Sequence, residues 1–242
     1  MKKGTPSLQL VRGTLAGIPS IESRTLGERV YRGLRDFLMA GQLQPGQKLT
    51  LRELAAALNV SPMPVREAVR RLAAEGALEM LPNRRIRVPV MTKVRFRELL
   101  NVRLVLEGLA AEAAARRIRS EDIERIEALN TTFAVEMQRR QANGVRLFRL
   151  NKDLHFLLYE AADMPLLLTL IEGLWLQAGP VLHLSLRMRA NANARGRNPA
   201  PNWHKRMIVG LRRRDPATAR RALVGDLTSA ADQILAEGSL PD

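Results

Sequence analysis

Between Thr50 and Val90 the chain strings together helix starts and apolar periodicities in an order that few folds accept. Thr50 and Glu53 have the spacing of a capping box, with the threonine hydroxyl taking the Glu53 amide and the carboxylate reaching back. The short helix so opened carries Leu51, Leu54, Ala55 and Leu58. Asn59-Val60 interrupts it. Ser61 is then a good N-cap, and Pro62 takes the first helical position, where its missing N–H costs nothing. Val65, Ala68, Val69 and Leu72 recur at helical spacing as far as Gly76. Two apolar stretches, Ala77–Leu81 and Ile86–Val90, flank the tip Pro82-Asn83-Arg84-Arg85 and predict a β-hairpin. Upstream, Thr25 and Glu28 make another capping box ahead of Val30, Leu34, Phe37 and Leu38. Gly41 and Gln44-Pro45-Gly46 then close that helix. Helix, helix, turn, helix, hairpin is the plan of a winged helix-turn-helix.

Charge supports a polyanion partner for this part. The chain has 242 residues and a formal charge of +15. Its first 100 residues hold 18 Lys/Arg against 8 Asp/Glu, and the other 142 contribute only +5. Apolar residues make up 46% of the chain, enough for a packed core, while aromatics are few at 4%. The absence of cysteine excludes disulfides and thiolate metal sites and fits a reducing, cytoplasmic compartment. No unbroken apolar run reaches the ~18 residues of a membrane span. Residues 1–22 are basic without a continuous apolar stretch and are read as a mobile arm rather than a signal peptide.

From Thr92 onward the patterns are helical throughout. One helix is expected over about 92–118 with Leu99, Val102, Leu106, Leu109 and Ala113 facing the core. Ser120 is expected to cap a second, with Glu121 and Asp122 complementing its dipole. A third covers about 145–162. Pro165 starts a fourth that Gly179-Pro180 should kink or end. Residues 190–201 read as a loop, Asn202 caps a fifth helix, and Asp215-Pro216 opens the last. The expected fold is therefore mainly α, with an arm at 1–22, a winged unit at 23–90 and an all-helical effector and dimerisation bundle at 91–238.

In the winged unit, the helix beginning at Ser61 aims its first-turn amides outward, where a phosphate would sit, with Met63 in that turn. Arg66 and Arg70 lie four apart and share one face. They can reach base edges or phosphates once this helix enters a major groove. Arg84, Arg85 and Arg87 at the hairpin suit a minor groove or the backbone. Taken singly, each arginine reads first as a solvated surface residue paired with Glu67 or Glu75; it is the whole arrangement that points to DNA.

The segment from about 25 to 90 resembles the N-terminal domain of the GntR family of bacterial regulators. The resemblance rests on Gly41…Leu43-Gln44-Pro45-Gly46, Leu51-Arg52-Glu53-Leu54-Ala55, Ser61…Pro64-Val65-Arg66-Glu67-Ala68 and Glu75-Gly76. It implies DNA contacts at Arg52 and Arg66. Many members carry an arginine where Pro62 stands and a wing glycine where Arg85 stands, so the family's usual operator does not transfer.

Residues 95–235 are similar to the effector domain of the FadR-type subgroup, the FCD domain. The similarity rests on Arg103-Leu104-Val105-Leu106-Glu107, the Asn151-to-Pro165 stretch and His204…Asp215…Ala219. It implies a helical barrel that in many members holds a divalent metal (Zn, Ni or Mn) through one Asp and three His. Carried onto this chain, that set becomes Asn151, His155, His204 and Asp226. Two nitrogens and two oxygens make a harder set, weaker for Zn²⁺ and more tolerant of Mn²⁺ or Mg²⁺. Read without the family, four spread residues are no metal motif and His155 and His204 are ordinary core histidines; His183 is structural. Arg103 on the inner face needs an anion, either Glu107 one turn on or the carboxylate of an effector.

The resulting expectation is a ligand-responsive transcription regulator. Its partners would be a double-stranded DNA operator, a small carboxylate effector and a second copy of the chain, with no membrane. A metal-dependent hydrolase built on the four-residue set lacks a positioned nucleophile or paired base. An effector-free architectural DNA binder has no need of the long helical domain.

Overall fold

The structure, a computed structural model, describes residues 25–82, 85–193, 202–238 and 240–242. The expected arm at 1–22, Arg84 at the wing tip and most of the expected loop at 190–201 lie outside them. The described residues form nine helices and one three-stranded sheet.

The winged part begins with α1 (Leu26–Met39). Thr25 caps it by accepting the Glu28 amide, but only half of the expected capping box forms. The Glu28 carboxylate instead binds Arg32 and Arg71, because two cations within reach outcompete one backbone amide. Strand β1 (Lys48–Thr50) leads directly into α2 (Leu51–Ala57), where the Thr50–Glu53 box is complete. Ser61 stands at the N-cap of α3 (Pro62–Ala74) with extended backbone, yet its hydroxyl makes no capping bond; Pro62 alone presets the first turn. Strands β2 (Glu79–Met80) and β3 (Arg85–Arg87) form the hairpin, shorter than the apolar stretches suggested. The sheet order is β1-β3-β2, all antiparallel, with Leu49 opposite Ile86 and Met80 opposite Ile86. Ile86 thus sits centrally and is buried with Leu38, Val65, Val69 and Leu72. Gly46, in the left-handed region at φ 80°, turns the chain so that its amide binds the Val88 carbonyl.

The helical part comprises α4 (Lys93–Arg117), α5 (Ser120–Met137), α6 (Gly144–Glu160), α7 (Pro165–Asn193), α8 (Trp203–Arg212) and α9 (Pro216–Ala236). Three sequence expectations change here. First, Val102 and Leu109 face outward, each 41% exposed. The inner stripe of α4 runs through Leu99, Arg103, Glu107, Ala110, Ala111 and Ala114, since Arg103 and Glu107 are buried against each other. Second, α5 is capped by Arg119, whose guanidinium binds Asp122, and Ser120 is already its first helical residue. Third, Pro180 does not end α7, which runs on to Asn193. A proline removes one helical donor, and the neighbouring Gly179 lies against α1, where an added Cβ would be 3.2 Å from the Leu38 carbonyl oxygen. Packing on α1 holds the helix together across that gap. Pro165–Leu186 is long and apolar enough to cross a membrane, with a mean hydropathy of 1.4, but half of it is buried inside the fold around Ile171, Trp175 and Leu176.

The two parts touch along α7. Glu172 accepts Arg35 at 2.7 Å, and the Gln177 amide donates to the Glu75 carbonyl at 3.2 Å. Near the interdomain linker, buried Leu240 and the bond from the Lys93 amide to the Pro241 carbonyl fasten the chain's last described residues to the start of α4.

Helices α8 and α9 approach closely because Gly210 has no side chain. A Cβ there would stand 2.6 Å from the Ala219 nitrogen. Gly210→Ala gains about 1 kcal/mol of helix propensity. Overpacking against backbone costs ~1–3 kcal/mol, so the variant is expected to melt below the wild type. A rise in melting temperature would mean that the two helices are not in such contact.

Candidate DNA interface and candidate metal centre

The outer side of α3 presents Ser61, Pro62, Met63 and Arg70 as exposed residues, with Arg66 half-buried. Its opposite side buries Val65, Ala68, Val69 and Leu72. Arg52 on α2 is exposed as well. Among the described residues, Arg52, Arg66 and Arg70 have no carboxylate partner, so neither Glu67 nor Glu75 neutralises them. Glu75 is occupied elsewhere: it accepts the Tyr31 hydroxyl and pairs with Arg71, which also stacks on the Tyr31 ring at 3.7 Å. On the wing, Arg85 is exposed, whereas Arg87 is tied to Glu79 across the hairpin at 2.5 Å. Arg87 is therefore a strand-pairing residue in this conformation as well as a candidate phosphate contact.

In the helical part, α6, α8 and α9 bring His155, His204 and Asp226 together, with one ligand atom of each within 4.8 Å of the others. His155 Nε2 is 3.2 Å and His204 Nε2 3.7 Å from Asp226 Oδ2. Both histidines are buried, and neither Nε2 has a hydrogen-bond partner of acceptable geometry. Two orphaned imidazole nitrogens beside a carboxylate form a donor set that suits a divalent cation. Asn151, one turn before His155 on the same helix α6, is half-buried. Burial works against ionisation of Asp226, but the two imidazoles beside it, His204 foremost, outweigh burial and hold the carboxyl well below the usual range.

Local sequence explains how this arrangement arises. Gly225 leaves room for the Trp203 ring, whose atoms would lie 2.7 Å from a Cβ at that position. Each of these two residues immediately precedes a member of the cluster, so their contact sets the spacing of His204 and Asp226. The Phe133 and Trp175 rings pack on His204 and His155 at 5.3 and 5.5 Å between centroids.

A buried polar chain leads away from His155. Its Nδ1 lies 3.0 Å from the Tyr159 hydroxyl, which donates to Glu107 through a short bond. Glu107 also accepts Arg103 Nε at 2.5 Å and Nη2 at 3.2 Å. Of the two anions left open for Arg103 by the sequence, the structure supplies Glu107. Burial and the nearby Glu107 charge push the Tyr159 hydroxyl well above its ordinary pKa, so it stays protonated. Tyr159, Glu107 as its acceptor, Trp175 and Trp203 are the site residues that sequence reasoning missed. The spacing His155-to-Tyr159, one helical turn, was the available signal. His183 stands apart from the cluster, edge-on to Phe148 and beneath Gly41.

A winged helix with basic residues free of carboxylate partners on an exposed helix, joined to an all-helical domain, is the architecture of a DNA-binding transcription regulator. Residues 26–88 match the gntR family of bacterial regulatory proteins and residues 98–228 match the FCD domain. The chain belongs to the GntR family and carries the FCD type of second domain; it is a DNA-binding transcription regulator rather than an enzyme. It is 28% identical to the HTH-type transcriptional regulator McbR of Escherichia coli K12 over 211 residues, covering 86% of this chain and 92% of that one. It is 25% identical to the HTH-type transcriptional repressor RspR of the same organism over 212 residues, 88% of this chain and 90% of the relative. Among solved structures, E. coli McbR/YncC superposes with a TM-score of 0.76 at 24% identity, covering 90% of this chain and all of that one. A GntR regulator from Rhodococcus sp. RHA1 gives 0.68 at 24% identity, covering 87% and 97%. These likenesses to solved structures concern the fold.

Proposed function

We propose that this regulator binds a double-stranded operator through Arg52, Ser61, Met63, Arg66, Arg70 and the wing arginines. Its affinity is tuned by a small carboxylate effector at the His155–His204–Asp226 cluster, with Asn151 as a further oxygen donor. The observation that carries the reading is that one helix serves both halves. Trp175 of α7 packs on His155, while Glu172 and Gln177 of the same helix hold Arg35 and Glu75 of the winged part. A change at the cluster that moves Trp175 is transmitted to α1 and to the end of α3 through a rigid element. A divalent cation held by the cluster would supply a hard Lewis-acidic centre to which a carboxylate binds. Asp226 and Asn151 favour Mn²⁺ relative to a three-histidine set. Arg103 gives two of its five N–H donors to Glu107, and the rest remain for an effector carboxylate.

A single winged helix reads only a few base pairs, so useful specificity calls for two copies on a palindrome. The exposed apolar stripe Val94, Val102, Val105 and Leu109 along α4 favours association through the helical part. Such a regulator works where the DNA is, in the cytoplasm.

The test is operator selection from random DNA, followed by binding at fixed salt with and without Mn²⁺ and a panel of small carboxylates. The expected result is a two-copy complex whose affinity shifts roughly 5–150-fold with one carboxylate. No shift with any carboxylate, metal present, overturns the effector reading. On the same DNA, Arg66→Ala is expected to weaken specific binding by ~1–3 kcal/mol while changing binding to scrambled DNA less. Equal losses on both DNAs would make Arg66 a phosphate contact only.

A further inference from the structure

The chain Arg103–Glu107–Tyr159–His155 has a direction that hydrogen-bond chemistry fixes. Arg103 is a permanent cation with donors only, and it gives two of them to Glu107. Glu107 is therefore a carboxylate and accepts everything that reaches it. The short contact between Tyr159 and Glu107 Oε2 accordingly uses the phenolic hydrogen, leaving the Tyr159 oxygen only lone pairs to offer. His155 Nδ1, 3.0 Å from that oxygen, must supply the hydrogen of the remaining bond. In the neutral ring the opposite nitrogen then carries a lone pair, and it is this atom that lies 3.2 Å from Asp226 Oδ2 without a hydrogen bond to it. All four residues are fully or almost fully buried, so no solvent molecule competes with this order.

We propose that Tyr159, held by Glu107 and Arg103, is a positioning residue that locks His155 in its Nδ1-protonated tautomer and so keeps Nε2 as the ligating atom of the cluster. The proposal rests on the metal reading above for its purpose, but its structural content concerns the metal-free protein alone. The chemistry explains why an arginine–glutamate pair lies buried beside the cluster. Had Tyr159 been a phenylalanine, His155 would be free to carry its proton on Nε2, pointing at the space between the donors and blocking it. An aromatic hydroxyl anchored by a carboxylate holds both the tautomer and the ring plane, the role that outer partners of metal-bound histidines generally fill. Trp175 adds to it from the side, with the Arg103 guanidinium over its ring at 5.0 Å and the His155 ring at 5.5 Å.

The chain has only three histidines, so their ring nitrogens are separable by NMR. The experiment is long-range ¹H–¹⁵N correlation of metal-free protein labelled at histidine, at about pH 8, above the ordinary histidine range near ~6.5. The His155 signals are assigned with His155→Gln. The expected wild-type pattern for His155 is protonated Nδ1 with bare Nε2. Tyr159→Phe, which keeps the ring and the packing, is expected to lose that pattern. Its affinity for Zn²⁺ alone, by calorimetry, is expected to fall about 10–100-fold. An Nε2-protonated or doubly protonated His155 in the wild type overturns the proposal without any variant. So does a Tyr159→Phe protein that retains the Nδ1–H pattern. If the tautomer behaves as expected but neither Zn²⁺ nor Mn²⁺ binds the wild type, the metal reading fails and the positioning by Tyr159 stands.

Discussion

Glu107→Ala is expected to be the most damaging single substitution in the helical domain, lowering its stability by about 3–5 kcal/mol. Arg103 and Glu107 are 4% and 0% exposed, so removing the carboxylate strands a guanidinium in apolar surroundings. It also leaves the Tyr159 hydroxyl without its acceptor. At roughly 2–4 °C per kcal/mol for a protein of this size, the melting temperature of that domain should drop on the order of 10 °C. A second variant separates the cost of an unpaired charge from the worth of the pair. Arg103→Met with Glu107→Leu removes both ions and fills similar volume, and buried pairs replaced in this way are often neutral in stability. The double variant is expected to recover most of the loss while leaving His155 without its anchored partner. A double variant as unstable as Glu107→Ala would mean that the pair's shape, not its charge balance, holds α4 against α6.

The second large effect concerns the cluster. Saturating Mn²⁺ or Zn²⁺ at about 100 times its dissociation constant should stabilise the folded protein by ~2.7 kcal/mol. Asp226→Ala should abolish that gain. Asp226 is the shared neighbour of both orphaned nitrogens, and without it the cluster offers two histidines from separate helices. Because its side chain is 20% exposed, its loss should alter the metal-free melting temperature far less than Glu107→Ala does. Equal metal-induced rises in wild type and Asp226→Ala would place the binding elsewhere. No rise in the wild type would remove the metal from the mechanism and leave His155 and His204 as polar groups facing an effector directly.

Local sequence determined a great deal of this protein. The Thr50–Glu53 box, Pro62 at a helix start, Asn202 and Asp215 as caps and the basic, apolar-flanked hairpin are signals within a few residues of one another, and each formed as a local element. The helical periodicity of α3 likewise determined which arginines stay outside. Where a choice depended on distant partners, tertiary structure decided it. Glu28 left its own helix start for Arg71 of α3, and Lys48–Thr50 became a strand only because β3 lies beside it. The register of α4 turned on a pair of charged residues: read by hydropathy, Val102 and Leu109 belong inside, but Arg103 and Glu107 neutralise each other and take that face. Pro180 stayed within α7 because α1 packs against Gly179, a contact no local rule registers. The cluster itself joins residues from three helices, far apart along the chain. Spacing along one helix brought Tyr159 to His155, but only the close approach of α8 and α9, permitted at Gly210 and Gly225, set His204 and Asp226 opposite them. Hydrogen bonds and turns act over one helical turn and are written in the local sequence. Burial of charge and the approach of helices are properties of the assembled core, where the partner that satisfies a group comes from elsewhere in the chain.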